Sequence, residues 1–217
     1  MNKRLIIIIV VLALIGGGIA VATRGNDKNK SADNSSKASS QTSSSQPAAN
    51  SNSFAPVSTE GQPFVATISS DGTTQGTIQS DGKGNTSYES TQNGTTTRIV
   101  YTSDAYYICT GSTCYKYVLG ASSPVSFNPS DYQYTKDKLT GYKSGATYKG
   151  KQSCPAGTCD VWSVSNAGVT SSLFIDSKSK LISQVESSLN GKTTKITYEF
   201  KAVTIDVPTN AQTLPTQ

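Results

Sequence analysis

Histidine is absent from this 217-residue chain. That removes the side chain that most often serves as a general base near neutral pH, and the commonest ligand of catalytic metals. Ser-His-Asp and Cys-His nucleophilic sites are thereby excluded. Charge is scarce too, with Asp, Glu, Lys and Arg making up 15% of the residues. The net charge of +5 suggests a nucleic-acid surface until it is divided along the chain. Six basic and two acidic residues precede Phe54, while 13 basic and 12 acidic residues follow. The folded part is therefore nearly neutral, and no nucleic-acid partner is expected. Neither a phosphate-binding glycine loop nor an EF-hand spacing occurs. Ser177-x-x-Lys180 shares the spacing of penicillin-binding enzymes, but Ser-Asp-Asn and Lys-Thr-Gly are both missing. Asp71, Asp81 and Asp176 fall at turn signals, where a carboxylate serves the backbone. No catalytic residue, cofactor or metal is expected, and the chain does not read as an enzyme.

What is present begins with an apolar run. Lys3 and Arg4 precede an unbroken stretch from Leu5 to Ala22. Its 18 residues fall within the roughly 17–25 that cross a bilayer. The basic pair stays inside, so the chain beyond the run is exported. Length and the Ile/Val content favour a retained signal anchor, while Ala20-Val21-Ala22 after three glycines favours a cleaved signal peptide. The expected location is the outer side of the cell membrane by a single pass, or a secreted or periplasmic protein if the signal is cleaved. Residues 1–23 form this segment. Residues 24–60 read as a Ser/Asn/Gln-rich linker that cannot bury enough surface to offset its ordering entropy. Residues 61–217 form the folded domain.

That domain reads as a meander. Strand-like runs are separated by Asp71-Gly72, Asp81-Gly82, Asn93-Gly94 and Asn190-Gly191, which are strong hairpin signals. The runs are 64–69, 73–79, 86–91, 95–102, 106–109, 114–119, 147–153, 160–165, 169–175, 181–189, 193–200 and 203–207. Leu181, Val185 and Leu189 share one expected face, and Ile182, Gln184 and Glu186 the other. Ile196, Tyr198 and Phe200 likewise oppose Lys195, Thr197 and Glu199. One dry and one wet face predict an antiparallel sheet packed on one side. About ten or eleven strands are expected, and a sheet of that size curls or splits. One short helix is predicted over Pro129–Leu139, placed to cover the open side of the curl.

The four cysteines form two C-x4-C pairs, Cys109/Cys114 and Cys154/Cys159. Each pair holds a glycine in its loop and abuts a strand. Across a short hairpin such residues fall within disulfide distance, and in an exported protein the local disulfide is the expected state. A four-thiolate zinc site is the competing reading. C-x4-C is unusual for zinc and the two pairs lie forty positions apart.

Further features concern layout. Gly76-Thr-Ile-Gln79 is followed by Asp81-Gly-Lys-Gly-Asn85, Arg98-Ile-Val-Tyr101, Tyr106-Tyr-Ile108 and Tyr115-Lys-Tyr117. Later come Trp162-Ser-Val164, Leu173-Phe-Ile-Asp176, Ile196-Thr-Tyr-Glu-Phe200 and Val203-Thr-Ile-Asp-Val-Pro208. This layout resembles the LolA/LppX-like superfamily of lipoprotein carriers and lipid-binding envelope proteins, over about residues 62–211. The resemblance implies an all-β-dominated fold: an unclosed, strongly curved antiparallel half-barrel with helical cover and a hydrophobic hollow for acyl chains. The expected function is a non-enzymatic extracytoplasmic binding domain holding a lipid or acylated partner, such as a lipoprotein. Candidate lining residues are Phe64, Ile68, Ile99, Tyr101, Trp162, Leu173, Val185 and Tyr198. A structural or adhesive cell-surface domain with a solid core is the alternative, because the same side chains fill a core or line a cavity.

Overall fold

The computed structural model describes residues 53–118, 127–166, 169–189 and 191–213. The apolar run 5–22 and most of the linker lie outside these, as does Asn190 of the Asn190-Gly191 turn. Twelve strands form one sheet: β1 (Phe64–Ser70), β2 (Thr73–Ser80), β3 (Thr86–Gln92), β4 (Thr95–Tyr101), β5 (Ala105–Thr110), β6 (Thr113–Val118), β7 (Thr147–Cys154), β8 (Gly157–Asn166), β9 (Val169–Asp176), β10 (Ile182–Leu189), β11 (Lys192–Glu199) and β12 (Gln212–Thr213). Their spatial order is β12-β6-β5-β4-β3-β2-β1-β11-β10-β9-β8-β7. The outermost strands do not meet, so the sheet is unclosed. Every pairing is antiparallel except that of β12, which lies parallel to β6. Two hairpin meanders, β1–β6 and β7–β11, are joined where β1 pairs with β11.

Turn chemistry accounts for the hairpins. Asp71 (φ 47°) with Gly72 (φ 81°), and Asn93 (φ 52°) with Gly94 (φ 75°), place positive φ at both central positions. This matches the twist of the flanking strands. Asp81-Gly82 differs from the expected two-residue turn. Here the loop spans residues 81–85, and the Asp81 carboxylate accepts from the backbone N–H groups of Lys83 (2.7 Å) and Asn85 (3.0 Å).

One face of the sheet is dry. Phe64, Ala66 and Ile68 of β1 join Ile78, Tyr88 and Ile99 from the first meander. Trp162, Val164, Leu173, Ile175, Ile182, Val185 and Tyr198 come from the second. Strands as far apart as β3 and β8 contribute to one core because the sheet curls around it. On the outer face Val203, Ile205 and Val207 pack on Val100, Ala105 and Tyr107, and Arg98 Nη2 donates to the Asp206 carbonyl at 3.0 Å. The expected strand 203–207 is thus an unpaired segment. It lays side chains on the sheet rather than backbone along an edge.

Two other expectations are corrected. Ser183 is an extra residue between the pairs Ile182–Ile175 and Gln184–Phe174. This bulge brings Ile182 to the same face as Val185, where it is fully buried, while Leu189 is 55% exposed. The single helix expected over 129–139 is two elements. A 3₁₀ turn covers Pro129–Tyr132, and helix α1 covers Lys136–Lys143, capped by the Thr135 hydroxyl on Lys138 N.

Both disulfides form locally. Cys109 and Cys114 are direct cross-strand partners. Cys154 and Cys159 are bonded diagonally, since Cys159 lies opposite Gln152. Closing so short a loop contributes about 2 kcal/mol in the chain-entropy account.

Candidate functional site

An apolar face built by eight strands must be covered. Among the described residues the cover consists of residues 54–60, residues 127–135 and α1. The Phe54 ring stands edge-on to Trp162 at 5.4 Å. Thr59 N donates to the Tyr134 carbonyl (3.0 Å), and Tyr134 N donates to Thr59 Oγ1 (2.8 Å). Val57 N donates to the Lys180 carbonyl at 2.8 Å. Residues 54–60, grouped by composition with the linker, therefore run as a strap across the curl. Phe127 stacks on Tyr88 and on Tyr132, and tilts over Tyr101. Leu139 is the buried residue of α1.

Two tyrosines bolt the cover to the sheet. Tyr101 Oη donates to the Phe127 carbonyl at 2.8 Å, and Tyr198 Oη to the Tyr132 carbonyl at 3.1 Å. Burial pushes the hydroxyls of Tyr101, Tyr132, Tyr134 and Tyr198 well above the usual phenol range, so they stay neutral donors. Lys138 is also drawn inside. Its Nζ donates to the Asp131 carbonyl (2.8 Å) and lies 4.7 Å from the Tyr134 ring centre, and burial lowers its pKa.

All eight residues singled out in the sequence meet in this one core. Phe64, Ile68, Ile99, Trp162, Leu173, Val185 and Tyr198 are buried, and Tyr101 is half-buried against them. They already have neighbours: the rings of Phe54, Phe127, Tyr132 and Tyr134 occupy the curl. The residues that sequence reasoning missed are those of the cover. Phe54 carried one readable signal, as the first aromatic residue in the chain. Tyr132, Tyr134 and Leu139 lay within a segment read as a single helix.

Surface hollows open on described residues. One, of about 310 Å³, lies between strap and helix, lined by Phe54, Ala55, Pro56, Ser58, Lys136, Leu139, Thr140 and Lys143. Another, of about 460 Å³, lies between the β7–β8 turn and the ends of β10 and β11. Leu181, Ser183 and Phe200 are in its wall. Of the eight sequence candidates only Tyr198 reaches the second, and none the first. The hydroxyls of Tyr106 and Ser183 are buried without a partner.

The Ser177-x-x-Lys180 spacing does not bring its two side chains together. Ser177 Oγ donates to Asp160 Oδ2 (3.3 Å), and Lys180 Nζ lies 3.5 Å from the same oxygen. From the β9–β10 turn both therefore serve the Asp160 carboxylate of β8 instead of each other. Among the described residues no group of His, Cys, Asp or Glu is placed to hold a metal, and no helix is long and apolar enough to cross a membrane.

No family model matches the chain, and no curated protein does. Several solved structures are similar. The lipoprotein LppX of Mycobacterium tuberculosis matches at TM-score 0.47 and 8% identity, over 68% of this chain and 90% of that one. LprF of Mycobacterium bovis matches at 0.44 and 12%, over 70% and 91%. An uncharacterized conserved protein of Thermus thermophilus matches at 0.42 and 11%, over 71% and 90%. All three likenesses are at low identity.

Proposed function

We propose that this chain is a non-enzymatic binding domain outside the cytoplasm that takes an acyl chain between its curved sheet and the cover. One observation carries the reading. The apolar face is closed by three short segments, and two of their ties to the sheet are the hydroxyl bonds of Tyr101 and Tyr198. Each such bond is worth about 0.5–1.5 kcal/mol net. A cover of this kind opens at a lower cost than unfolding the sheet. An acyl chain that replaces its rings would restore the lost burial. The two disulfides support an oxidising compartment, and the apolar run at 5–22 supports attachment to, or passage across, a membrane.

A second reading is a solid-core surface domain without ligand. It is favoured by the rings of Phe54, Phe127, Tyr132 and Tyr134, which already pack on the face. The experiment is native mass spectrometry of residues 24–217, made in an oxidising compartment without detergent, beside an organic extract. Extra mass that leaves on extraction and matches a lipid supports the binding domain. A bare mass, unchanged after incubation with membrane lipids, supports the solid core.

A further inference from the structure

We infer that the hollow between strap and helix is a headgroup site for an anionic amphiphile. The inference rests on the acyl-binding reading and names the ligand chemistry. The floor of the hollow is apolar, made by Phe54, Pro56 and Leu139. Two exposed lysines of α1, Lys136 and Lys143, also line the hollow. They lie seven residues apart, two turns and about 10 Å along one side of the helix. The helix has a third lysine between them, Lys138, and its different use is instructive. Lys138 Nζ is engaged with the Asp131 carbonyl and the Tyr134 ring. Neither Lys136 nor Lys143 is in an ion pair with a described residue. Glu60, whose carboxylate feels the Lys136 charge without forming an ion pair with it, is itself occupied. Its Oε2 accepts from Ser58 Oγ (2.8 Å) and from Lys136 N (3.1 Å). Those bonds hold the strap against the start of α1.

Size and position agree with this chemistry. About 310 Å³ is at the low end of the roughly 300–1,000 Å³ of small-molecule sites. It suits a headgroup and the first methylenes, not a whole lipid. The hollow adjoins the apolar core, because Phe54 forms its wall on one side and touches Trp162 on the other. A tail continuing inward meets the dry face of the sheet. The strap is also the first described stretch after the linker, so the mouth lies where the chain arrives from the segment read as membrane-spanning.

The test uses the full chain in phosphatidylcholine nanodiscs, with octyl phosphate, octanol, octyltrimethylammonium and inorganic phosphate as probes. Trp162, the single indole, reports through its contact with Phe54. The expected result is saturable binding of octyl phosphate, roughly five- to tenfold tighter than octanol, the gain of two partly exposed charge pairs. Octyltrimethylammonium is expected to bind more weakly than either. Lys136→Gln with Lys143→Gln removes the preference and leaves the octanol affinity unchanged; both side chains are exposed, so the fold is retained. Equal affinity for octyl phosphate and octanol overturns the headgroup site and leaves the acyl-binding reading standing. A preference that survives the double substitution also overturns it. Displacement by inorganic phosphate at equal concentration overturns it in favour of a plain anion site. If no probe binds, the headgroup site falls, and the organic extract of the native protein decides the acyl-binding reading separately.

Discussion

The hydroxyl of Tyr198, on β11, donates to the carbonyl of Tyr132 across 3.1 Å, and this bond ties the floor of the curled sheet to its cover. The Tyr198 ring packs at the same time against Phe64 and Tyr134. Tyr198→Phe keeps that packing and removes the hydroxyl, leaving the Tyr132 carbonyl short of a partner and the Tyr134 hydroxyl without its bond to Tyr198. We expect a loss of about 1 kcal/mol in urea unfolding. Hydrogen exchange is expected to quicken in residues 127–143 and not in β1 or β11. Uniform acceleration across the sheet would show that the cover is no separate unit.

Phe54→Ala tests the strap. The ring is 7% exposed and meets Trp162 edge-on. Its truncation should cost about 3 kcal/mol, the lower end for a buried phenylalanine, because the site lies at the margin of the core. Trp162 emission should shift to the red. If stability and emission both match the parent chain, residues 54–60 belong functionally to the linker.

Gly76 is a packing requirement. A Cβ there would stand 2.7 Å from both the Glu89 carbonyl oxygen and Tyr88 Cε2. The carbonyl belongs to the sheet and cannot retreat, and Tyr88 is stacked on Phe127 at 5.1 Å. Gly→Ala inside a strand ordinarily helps by restricting the unfolded chain. Here Gly76→Ala should instead destabilise by about 1–3 kcal/mol through overpacking. A variant with an unchanged or raised melting temperature would contradict the close approach of Tyr88.

The pH dependence follows from which groups titrate. Hydroxyl and backbone donors at Ser179 hold the Asp176 carboxyl below its ordinary value. At Asp81, burial works in the opposite direction, but bonds from Lys83 and Asn85 outweigh it and lower that carboxyl too. A lowered folded-state pKa contributes stability that is present above the unfolded value and lost as pH falls through the folded one. Burial raises the phenols of Tyr132 and Tyr134. Their contribution is complete below the unfolded value and lost as pH rises towards the folded one. With no histidine, urea midpoints should be flat from about pH 5 to 9, falling below about pH 4 and above about pH 10. A step between pH 6 and 7 would contradict this assignment.

Much of the sheet was legible because its signals are local. Asp71-Gly72 and Asn93-Gly94 sit where their backbone demands positive φ, and each cysteine pair lies within one hairpin. The residues of the dry face were legible by alternation. Alternation failed at Ser183, because one inserted residue reverses the parity of Ile182 and Leu181 relative to Val185. Residues 203–207 alternate like a strand, since packing flat on a sheet selects the same pattern as pairing within one. The cover was least legible. Phe54 lies at the end of a serine-rich stretch that outweighs it in composition. The break between Tyr132 and Lys136 depends on Tyr134 meeting Thr59, 75 positions earlier.

The pairing of β1 with β11 also sets an order of assembly. A chain that appears amino-terminus first delivers β1 early and β11 only near its end. Until then the first meander has an unsatisfied flank along β1, exposed to any other extended chain. The disulfides close small rings inside their own hairpins, so oxidation can finish in each half before the halves meet. The seam closes a loop of more than a hundred residues and is the slow step, as for other non-local strand pairings. Anything that shields a sheet edge during that interval would raise the yield of folded protein without touching the finished domain.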